Sequence, residues 1–385
     1  MEQALSHITE RIGTALAKGT PLRIRGGGSK DFYAHSLQGE VLDTTGLSGV
    51  ISYEPSELVV TVGAGTPLAE LEALLAQQGQ CLPFEPPHFV WSGEGDDVRH
   101  ATVGGMVASG LAGPARASVG GVRDYVLGLK MVNGSNEHLS FGGQVMKNVA
   151  GYDVSRLMVG SMGTLGLITE VSLKVLPMPP GEATLVFELS QGQALEQLHR
   201  WGGQPLPLNA SCWVHDDSGA PGAGRDLLFL RLRGAKAAVE AACKSMLADQ
   251  TGSRMDNAQA QADWHLCRDH ALPFFTHQPS DDMGLWRLSV AQTAAPLDLP
   301  WPQLIEWHGG LRWLWAPMDA ADSLRTAARK AGGSATLFIA AYAYESGPVA
   351  RFALNNQAEA GIQSRLKSSF DPKGIFNPRR MFADM

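Results

Sequence analysis

Three glycine-rich segments limit what this chain can fold into more strongly than any other feature. The first reads RIRGGGSKDF at 23–32, the second TVGGMVASGLAGP at 102–114 and the third GSMGTLGLITE at 160–170. Glycine permits positive φ angles and lets a backbone come close to a neighbouring group. Each segment alone is compatible with a plain turn or with tight packing. Together, three such segments in one region fit a long ligand lying in a crevice better than three independent turns.

The first segment has the composition of a phosphate-binding loop. Gly26, Gly27 and Gly28 would let successive N–H groups converge on an anion, and Ser29 and Lys30 would add further donors. The two familiar phosphate loops do not fit, because no GxGxxG opens a helix here and no GxxxxGK[ST] occurs. If this loop binds a phosphate, it therefore belongs to another architecture.

The second segment predicts a short helix with a bare face. Gly104, Gly105 and Ser109 are small, so a planar or bulky group could lie against them. The alternative is close packing of the helix on a sheet. The helix N-terminus, at Thr102, would also favour a phosphate through unpaired N–H groups and the helix dipole.

Composition and charge exclude several classes of protein. The net charge of −7 argues against a nucleic-acid partner. No CxxC pair occurs, and this excludes an iron–sulfur cluster or zinc ribbon held by this chain alone; the cysteines are Cys81, Cys212, Cys243 and Cys267. No apolar run approaches the ~20 residues of a membrane span, and no signal peptide is recognisable. We therefore expect a cytoplasmic protein that binds no metal and has no membrane span.

Hydrophobic periodicity predicts an α+β protein. Residues 3–18 have the spacing of an amphipathic helix, and Asn133-Gly134 is the turn signal of a hairpin over 125–141. Beyond a proline-rich linker at 177–181, strands alternate with helices in a way typical of an antiparallel sheet. The expected parts are a first domain at 1–178, a second domain at 179–360, and a tail at 361–385 that packs back on the first domain.

Five motifs, in this order, resemble the FAD-binding fold of the vanillyl-alcohol oxidase / p-cresol methylhydroxylase (PCMH-type) flavoproteins. They are RGGGSKDF, TVGGMVASGLAGP, GGVRDYVLGLK, FGGQVMKNVAGYDVSRLMVGSMGTLGLITEVSLKVLP and FDPKGIFNP. More narrowly, GAGTPLAELEALLAQQGQCLPFEPP and QVMKNVAGYDVSRLM are similar to the FAD-binding subunits of bacterial glycolate oxidases. The resemblance is dense over about 20–178, clear over 366–380 and loose over 180–360.

The resemblance implies a PCMH-type FAD-binding domain of two α/β lobes, followed by a smaller cap domain with an antiparallel sheet. It assigns the FAD contacts to Gly26, Gly27, Gly28, Ser29, Thr102, Gly104, Gly105, Ser109, Gly163 and Ile168. Lys147, Tyr152 and Asp153 would shape the pocket. Many relatives bond the flavin covalently through a histidine where this chain has Gly28, so the resemblance implies noncovalent FAD. Met162 also departs from the family pattern, which often has glutamate there.

The implied activity is oxidation of glycolate to glyoxylate, in which the flavin accepts a hydride from the substrate. In the resembled system a second flavin subunit and an iron–sulfur subunit complete the complex, and the chain could reach a membrane through such partners. No residue identifies itself as the catalytic base. His308, in EWHGGLRW, lacks the second histidine or acid that a metal site requires, which favours a structural role.

Two other functions stay open at this stage. The chain could be a PCMH-type flavoprotein acting on a different small substrate, for example a reductase of sugar-nucleotide enol ethers. It could also be an electron-relay or scaffold subunit without its own substrate site. The intact glycine segments argue against an empty cofactor site.

Overall fold

The computed structural model describes residues 1–35, 38–89, 91–92, 98–143, 153–217, 224–341, 349–354 and 356–382. Its α-helices are α1 Glu2–Lys18, α2 Leu68–Gln77, α3 Val103–Ser109, α4 Arg116–Val119, α5 Val122–Tyr125, α6 Val154–Leu157, α7 Gln191–Gly202, α8 Lys236–Asp249, α9 Asn257–Arg268, α10 Pro273–Thr276, α11 Ala321–Lys330 and α12 Gln357–Phe370. None of these described helices is long and apolar enough to cross a lipid bilayer.

The β-strands fall into two large sheets and several two-stranded ones. They are β1 Leu22–Arg25, β2 Glu40–Asp43, β3 Val50–Glu54, β4 Val59–Gly63, β5 Gln80–Cys81, β6 Trp91–Ser92, β7 Val98–Arg99, β8 Val126–Val132, β9 His138–Gly142, β10 Leu167–Lys174, β11 Leu176–Pro177, β12 Gly181–Glu188, β13 Leu208–Asp216, β14 Arg225–Gly234, β15 Ser253–Arg254, β16 Met283–Ser289, β17 Gln303–Glu306, β18 Leu311–Pro317 and β19 Ser334–Ile339. The presence of helices together with largely antiparallel sheets confirms the predicted α+β class.

Two units share the chain. The first consists of Met1–Leu111, Gly121–Met178 and Leu354–Met385, and the second of Ala112–Gly120 and Pro179–Ala353. The boundaries at 178 and 360 stay predictions. The structure differs from them in giving the segment Ala112–Gly120 to the second unit, where α4 packs beside β13.

The first unit contains a five-stranded antiparallel sheet in the order β3-β4-β10-β8-β9, and a separate parallel pair, β1-β2. Helix α1 buries Ile8, Ile12 and Ala15, which recur at helical spacing, and Gly19 ends it with φ 67°. The same core contains Ile375 and Phe376 from the end of the chain. The core of this unit therefore joins residues that are more than 350 positions apart in sequence.

The hairpin predicted around Asn133-Gly134 is confirmed, but its turn is wider than two residues. Val132 pairs with His138, which leaves five residues between the strands. The Asn133 side-chain oxygen accepts hydrogen bonds from the N–H groups of Ser135 and Glu137. Because this side chain satisfies the loop backbone, the chain does not need the tight type I′ turn that the dipeptide favours.

The second unit is built on one eight-stranded sheet in the order β15-β12-β14-β13-β17-β18-β16-β19. Every pairing in it is antiparallel, as the alternation of strands and helices predicts. Helices α7 and α8 pack on one part of the sheet through Leu195, Leu198, Trp201, Val239 and Met246. Helix α11 packs on another part through Leu324 and Ala328.

Candidate cofactor site

Two adjoining cavities in the first unit lie where the first and second glycine segments meet. The larger has a volume of about 460 Å³ and the smaller of about 90 Å³. Both are lined by Arg25, Gly26, Gly27 and Thr102. The smaller is also lined by Gly28, Ser29, Gly105, Ala108, Ser109, Met162, Asn377 and Arg380. The structure thus brings most of the predicted cofactor contacts to one place.

The loop after β1 presents unpaired main-chain donors to these cavities. No described residue accepts a hydrogen bond from the N–H groups of Gly26, Gly27, Gly28 or Ser29. Successive free N–H groups in a turn of this kind form an anion-binding nest. This donor set fits the pyrophosphate of FAD without any side-chain cation.

The glycines of this loop are also required by close packing and by backbone conformation within the protein. A Cβ atom on Gly27 would lie 1.7 Å from the carbonyl oxygen of His100, and one on Gly26 would lie 2.5 Å from Thr102 Oγ1. Gly28 adopts φ +72°, which disfavours other residues. Gly26 and Gly27 therefore lack side chains because they pack directly against Thr102 and His100.

Charged side chains hold the backbone of this loop in place. Asp31 Oδ2 lies 2.6 Å from Arg25 Nη2 and 3.4 Å from Arg23 Nη2. Arg380, which is 4% exposed, donates hydrogen bonds to the carbonyl oxygens of Lys30, Asp31 and His35. Arg380 is a functional residue that sequence reasoning missed.

The start of helix α3 does not offer the unpaired N–H groups that the sequence predicts there, and a phosphate contact at Thr102 stays a prediction. Val103 N–H donates to Thr66 O at 2.9 Å and Gly104 N–H to Ala64 O at 2.7 Å. Thr102 Oγ1 caps the helix by accepting from Gly105 N–H at 3.2 Å. The first turn of α3 is therefore satisfied by the protein.

The glycines of α3 have separate roles. A Cβ on Gly104 would meet Ala64 Cβ at 2.8 Å, so Gly104 permits the helix to pack on its neighbour, and it lines neither cavity. A Cβ on Gly105 would have one close neighbour, Thr102 Oγ1 at 3.2 Å. Gly105 and Ser109 face the smaller cavity. They form the bare helix face that the sequence predicts.

The third segment reaches the site through a residue of the tail. Asn377 Nδ2 donates to Met162 O at 2.7 Å, and Asn377 Oδ1 accepts from Ile24 N–H at 2.8 Å. Gly163, with φ +70°, leaves space for the Asn377 side chain and lines neither cavity. Ile168 lies within β10, opposite Met131, and also lines neither. The FNP motif was the sequence signal for Asn377.

A buried lysine fixes the tail to the same segment. Lys367 is 8% exposed, and its Nζ donates to Thr164 O, Phe376 O and Asp371 Oδ2 at 2.7–2.8 Å. Burial lowers the pKa of Lys367, and the bond to Asp371 opposes that shift. Asp371 in turn accepts from the N–H groups of Ile375 and Phe376.

The remaining predicted residues have other positions. Lys147 and Tyr152 lie outside the described residues. Asp153 caps α6 by accepting from Arg156 N–H at 3.1 Å. His308, in the second unit, lies 3.0 Å from Ser118 Oγ, and burial lowers its pKa to about 4. Across the described ranges, no group of three or more His, Cys, Asp or Glu side chains could hold a metal ion.

Comparisons with known proteins agree with this geometry. The model of the FAD binding domain family matches residues 5–142. Glycolate oxidase subunit GlcE of Escherichia coli (strain K12) is 40% identical over 381 residues, which cover 98% of this chain and 97% of that protein. A D-lactate dehydrogenase of Anaerostipes hadrus is 34% identical over 149 residues, or 39% of this chain and 29% of that protein.

Among solved structures, alkyldihydroxyacetonephosphate synthase shares the fold. The TM-score is 0.65 at 16% sequence identity, covering 96% of this chain and 75% of that one. An identity this low supports the architecture alone, whereas the match to GlcE spans nearly the whole of both proteins. This chain belongs to the GlcE family of glycolate oxidase subunits and carries the FAD-binding domain of PCMH-type oxidoreductases.

Proposed function

We propose that this chain is the FAD-binding subunit of a glycolate oxidase complex and takes part in the oxidation of glycolate to glyoxylate. The observation that carries the proposal is the row of unpaired N–H groups from Gly26 to Ser29, beside two cavities that the glycine segments share. A relative that matches over 97% of its own length bears the name of a glycolate oxidase subunit.

The residues present fit FAD without a covalent bond. The N–H groups of Gly26–Ser29 would hold the pyrophosphate at the cavities they line. The face of α3 with Gly105 and Ser109 would let a planar ring system lie close to main chain. FAD, when bound, supplies the acceptor for the hydride that leaves the carbinol carbon of the substrate.

The binding mode has a direct test. After purification, acid precipitation of the yellow protein should release all FAD into the supernatant, because Gly28 offers no side chain for a covalent bond. Reversed-phase chromatography of the supernatant would identify FAD and measure its ratio to protein. Colour that stays with the pellet would refute noncovalent binding, and a colourless purified protein that takes up no FAD would refute the cofactor site.

The route of the electrons leads to other subunits. No metal-ligand cluster occurs in the parts of the chain that the structure describes, and the four cysteines there form no disulfide and lie far apart in sequence. A chain without an electron relay of its own requires a partner, for which we propose an iron–sulfur subunit beside a second flavin subunit. Membrane association, where it occurs, would come from such partners.

Activity should therefore depend on the complex. Positioning a substrate against its acceptor supplies ~7–11 kcal/mol of a reaction barrier, and no described side chain of this chain is identified as a substrate clamp or base. We expect the FAD-loaded chain to oxidise glycolate, with an artificial dye as acceptor, at least about 100-fold more slowly than the co-expressed complex. Equal rates would refute the need for partners while leaving the FAD site intact.

A further inference from the structure

Two cysteines that are distant in sequence face each other inside the second unit. Cys212 lies in β13 and Cys267 in α9, and their thiols share a hydrogen bond. The register of the sheet explains the approach, because Cys212 pairs with Glu306 of β17 and the two side chains therefore project from one face. Cys267 Sγ donates to Glu306 Oε1 at 3.4 Å, which places the end of α9 over that same face.

The packing of α9 on the sheet keeps the two thiols together. Trp264, one turn before Cys267, donates from Nε1 to Thr184 Oγ1 of β12 at 2.9 Å, and the Arg231 guanidinium lies 4.8 Å from the centre of its ring. Glu306 is fixed by Trp313, whose Nε1 donates to Glu306 Oε2 at 2.8 Å. The pair is therefore positioned by buried neighbours on the helix and on the sheet.

A small molecule has a route to this pair. Cys212 and Cys267 are only 4% and 3% exposed, but both line a cavity of about 1030 Å³ in the second unit. The hydrogen bond to Cys212, together with burial, raises the pKa of Cys267 well above its ordinary value, so the thiol stays protonated at neutral pH. The reduced pair is therefore the resting state, and its oxidation should be slow.

We propose that Cys212 and Cys267 form a reversible disulfide when the chain meets a hydroperoxide, and that this bond fixes α9 to β13. The proposal concerns a modification site in the second unit. It is independent of the FAD cavities and of the proposed oxidase function.

The reaction balances with one hydroperoxide as the oxidant. The proton of Cys267 passes to the Glu306 carboxylate, the sulfur attacks one peroxide oxygen, and the O–O bond breaks. With hydrogen peroxide, the departing hydroxide takes the proton from Glu306 and leaves as water, and Cys267 becomes a sulfenic acid. The Cys212 sulfur then attacks the Cys267 sulfur, the S–O bond breaks, and a second water carries away the Cys212 proton. Two thiols are oxidised and one peroxide is reduced.

The test counts free thiols before and after oxidation. The FAD-loaded chain is treated with hydrogen peroxide, denatured without reductant, alkylated with N-ethylmaleimide and measured by mass spectrometry. The untreated chain should carry four labels, one for each cysteine, and the oxidised chain two fewer. Dithiothreitol should restore the lost labels, and peptide mapping should find a cross-link between Cys212 and Cys267. Full labelling after treatment, or lost labels without this cross-link, would overturn the proposal.

Variants test which cysteines react. Cys212→Ala and Cys267→Ala should each form no cross-link. Cys243→Ala is the matched control, because Cys243 is also buried but belongs to a core cluster that contains no other cysteine among its described members. It should form the cross-link to the same extent as the unchanged chain. Circular dichroism and FAD content report whether each variant is folded, and a cross-link that persists in folded Cys267→Ala would refute the assignment.

The effect on α9 has its own measurement. A disulfide between β13 and α9 closes a long loop, so oxidation should raise the melting temperature of the second unit, followed by tryptophan fluorescence, by at least about 4 °C. The same treatment should leave the melting temperature of Cys212→Ala unchanged. An equal shift in this variant, or none in the cross-linked chain, would refute the fixing of α9 by this bond.

Discussion

The cavities in the two units of this chain are lined by different kinds of chemical group. In the first unit about half of the residues that line the smaller cavity are Gly, Ala, Ser or Thr, and the donors are the N–H groups of Gly26–Ser29. In the second unit the walls are large side chains such as Trp264 and Trp315. Ligand binding by main-chain groups depends on how the segments pack against one another. Ligand binding by side chains depends on the chemistry of each side chain. The two cavities should therefore respond differently to substitution.

The largest loss of stability should come from replacing the buried lysine that anchors the tail. Lys367→Met removes three donated hydrogen bonds and leaves Asp371, which is 1% exposed, without its cation. We expect the free energy of unfolding to fall by about 3–5 kcal/mol and FAD to be lost. Urea denaturation with and without added FAD measures both effects.

Lys373→Met is the matched control, because Lys373 is an exposed lysine of the same tail that donates to Leu16 O. Its effect should stay within about 0.5 kcal/mol. An equal loss of stability in the two variants would contradict the anchoring role of Lys367.

The next effect separates packing from ligand contact in the first unit. Gly27→Ala places a methyl group 1.7 Å from His100 O, so the loop must move, and we expect a loss of about 3 kcal/mol in stability together with loss of FAD. Gly105→Ala finds Thr102 Oγ1 at 3.2 Å as its one close neighbour and should leave the stability of the FAD-free chain within about 1 kcal/mol.

Flavin titration should nevertheless show weaker FAD binding for Gly105→Ala, since its methyl group would point at the cofactor cavity. Unchanged affinity for FAD would remove α3 from the site. Retained FAD in Gly27→Ala would show that the loop tolerates displacement.

The stability of the second unit should decrease at acidic pH. Burial, with a smaller contribution from Arg287, lowers the pKa of His270 to about 3. The unfolded chain takes up this proton from about pH 6.5 downward while the folded chain does not, so stability is lost as the pH falls from about 6.5 to 3. At pH 5 this single group accounts for about 2 kcal/mol.

His270→Phe should reduce that loss, because phenylalanine can stack on Phe275 and contact Trp313 edge-on but does not titrate. Eight of the nine tryptophans belong to the second unit, so tryptophan fluorescence during urea denaturation follows this unit. The difference in stability between pH 7 and pH 5 should shrink by about 2 kcal/mol in the variant. An unchanged difference would assign the acid sensitivity to other groups.

The smallest loss of stability should come from replacing Asn377, whose amide group joins the first and third glycine segments. Asn377→Asp keeps the acceptor for Ile24 N–H but removes the donor to Met162 O. We expect a loss of about 1 kcal/mol and FAD binding weakened about fivefold. Equilibrium dialysis against FAD measures the affinity, and Asn356→Asp, which preserves the cap of α12, is the control. Identical FAD affinity in the two variants would exclude a contribution of Asn377.

Local rules explain which parts of the site could be predicted. The bareness of Gly26–Gly28 and of the face with Gly105 and Ser109 follows from residue size and backbone freedom, which are visible in a few consecutive letters. The unsatisfied N–H groups are likewise a property of one loop. Such features need no knowledge of distant partners.

The rest depends on pairings that sequence does not reveal. Asn377 and Arg380 reach a segment some 350 positions earlier, and although the FNP motif marks this tail, it does not identify the atoms that the tail contacts. The first turn of α3 looked free because its acceptors, Thr66 and Ala64, lie outside the segment. Gly104, which the resemblance assigns to FAD, packs against Ala64 in the structure, and its contact with FAD stays a prediction, because a glycine that serves packing and one that serves a cofactor look alike in sequence.

The return of the tail to the first unit has a consequence for how the protein is made. Residues up to Met178 leave the ribosome early, but the segment from Leu354 that completes their core follows only after Pro179–Ala353. At ~5–20 residues per second, synthesis of that stretch takes roughly 9–35 s. During it the loop at Gly26 lacks the support of Asn377 and Arg380. Flavin capture should therefore be a late event in biosynthesis, and a nascent chain stalled before Leu354 should emerge colourless.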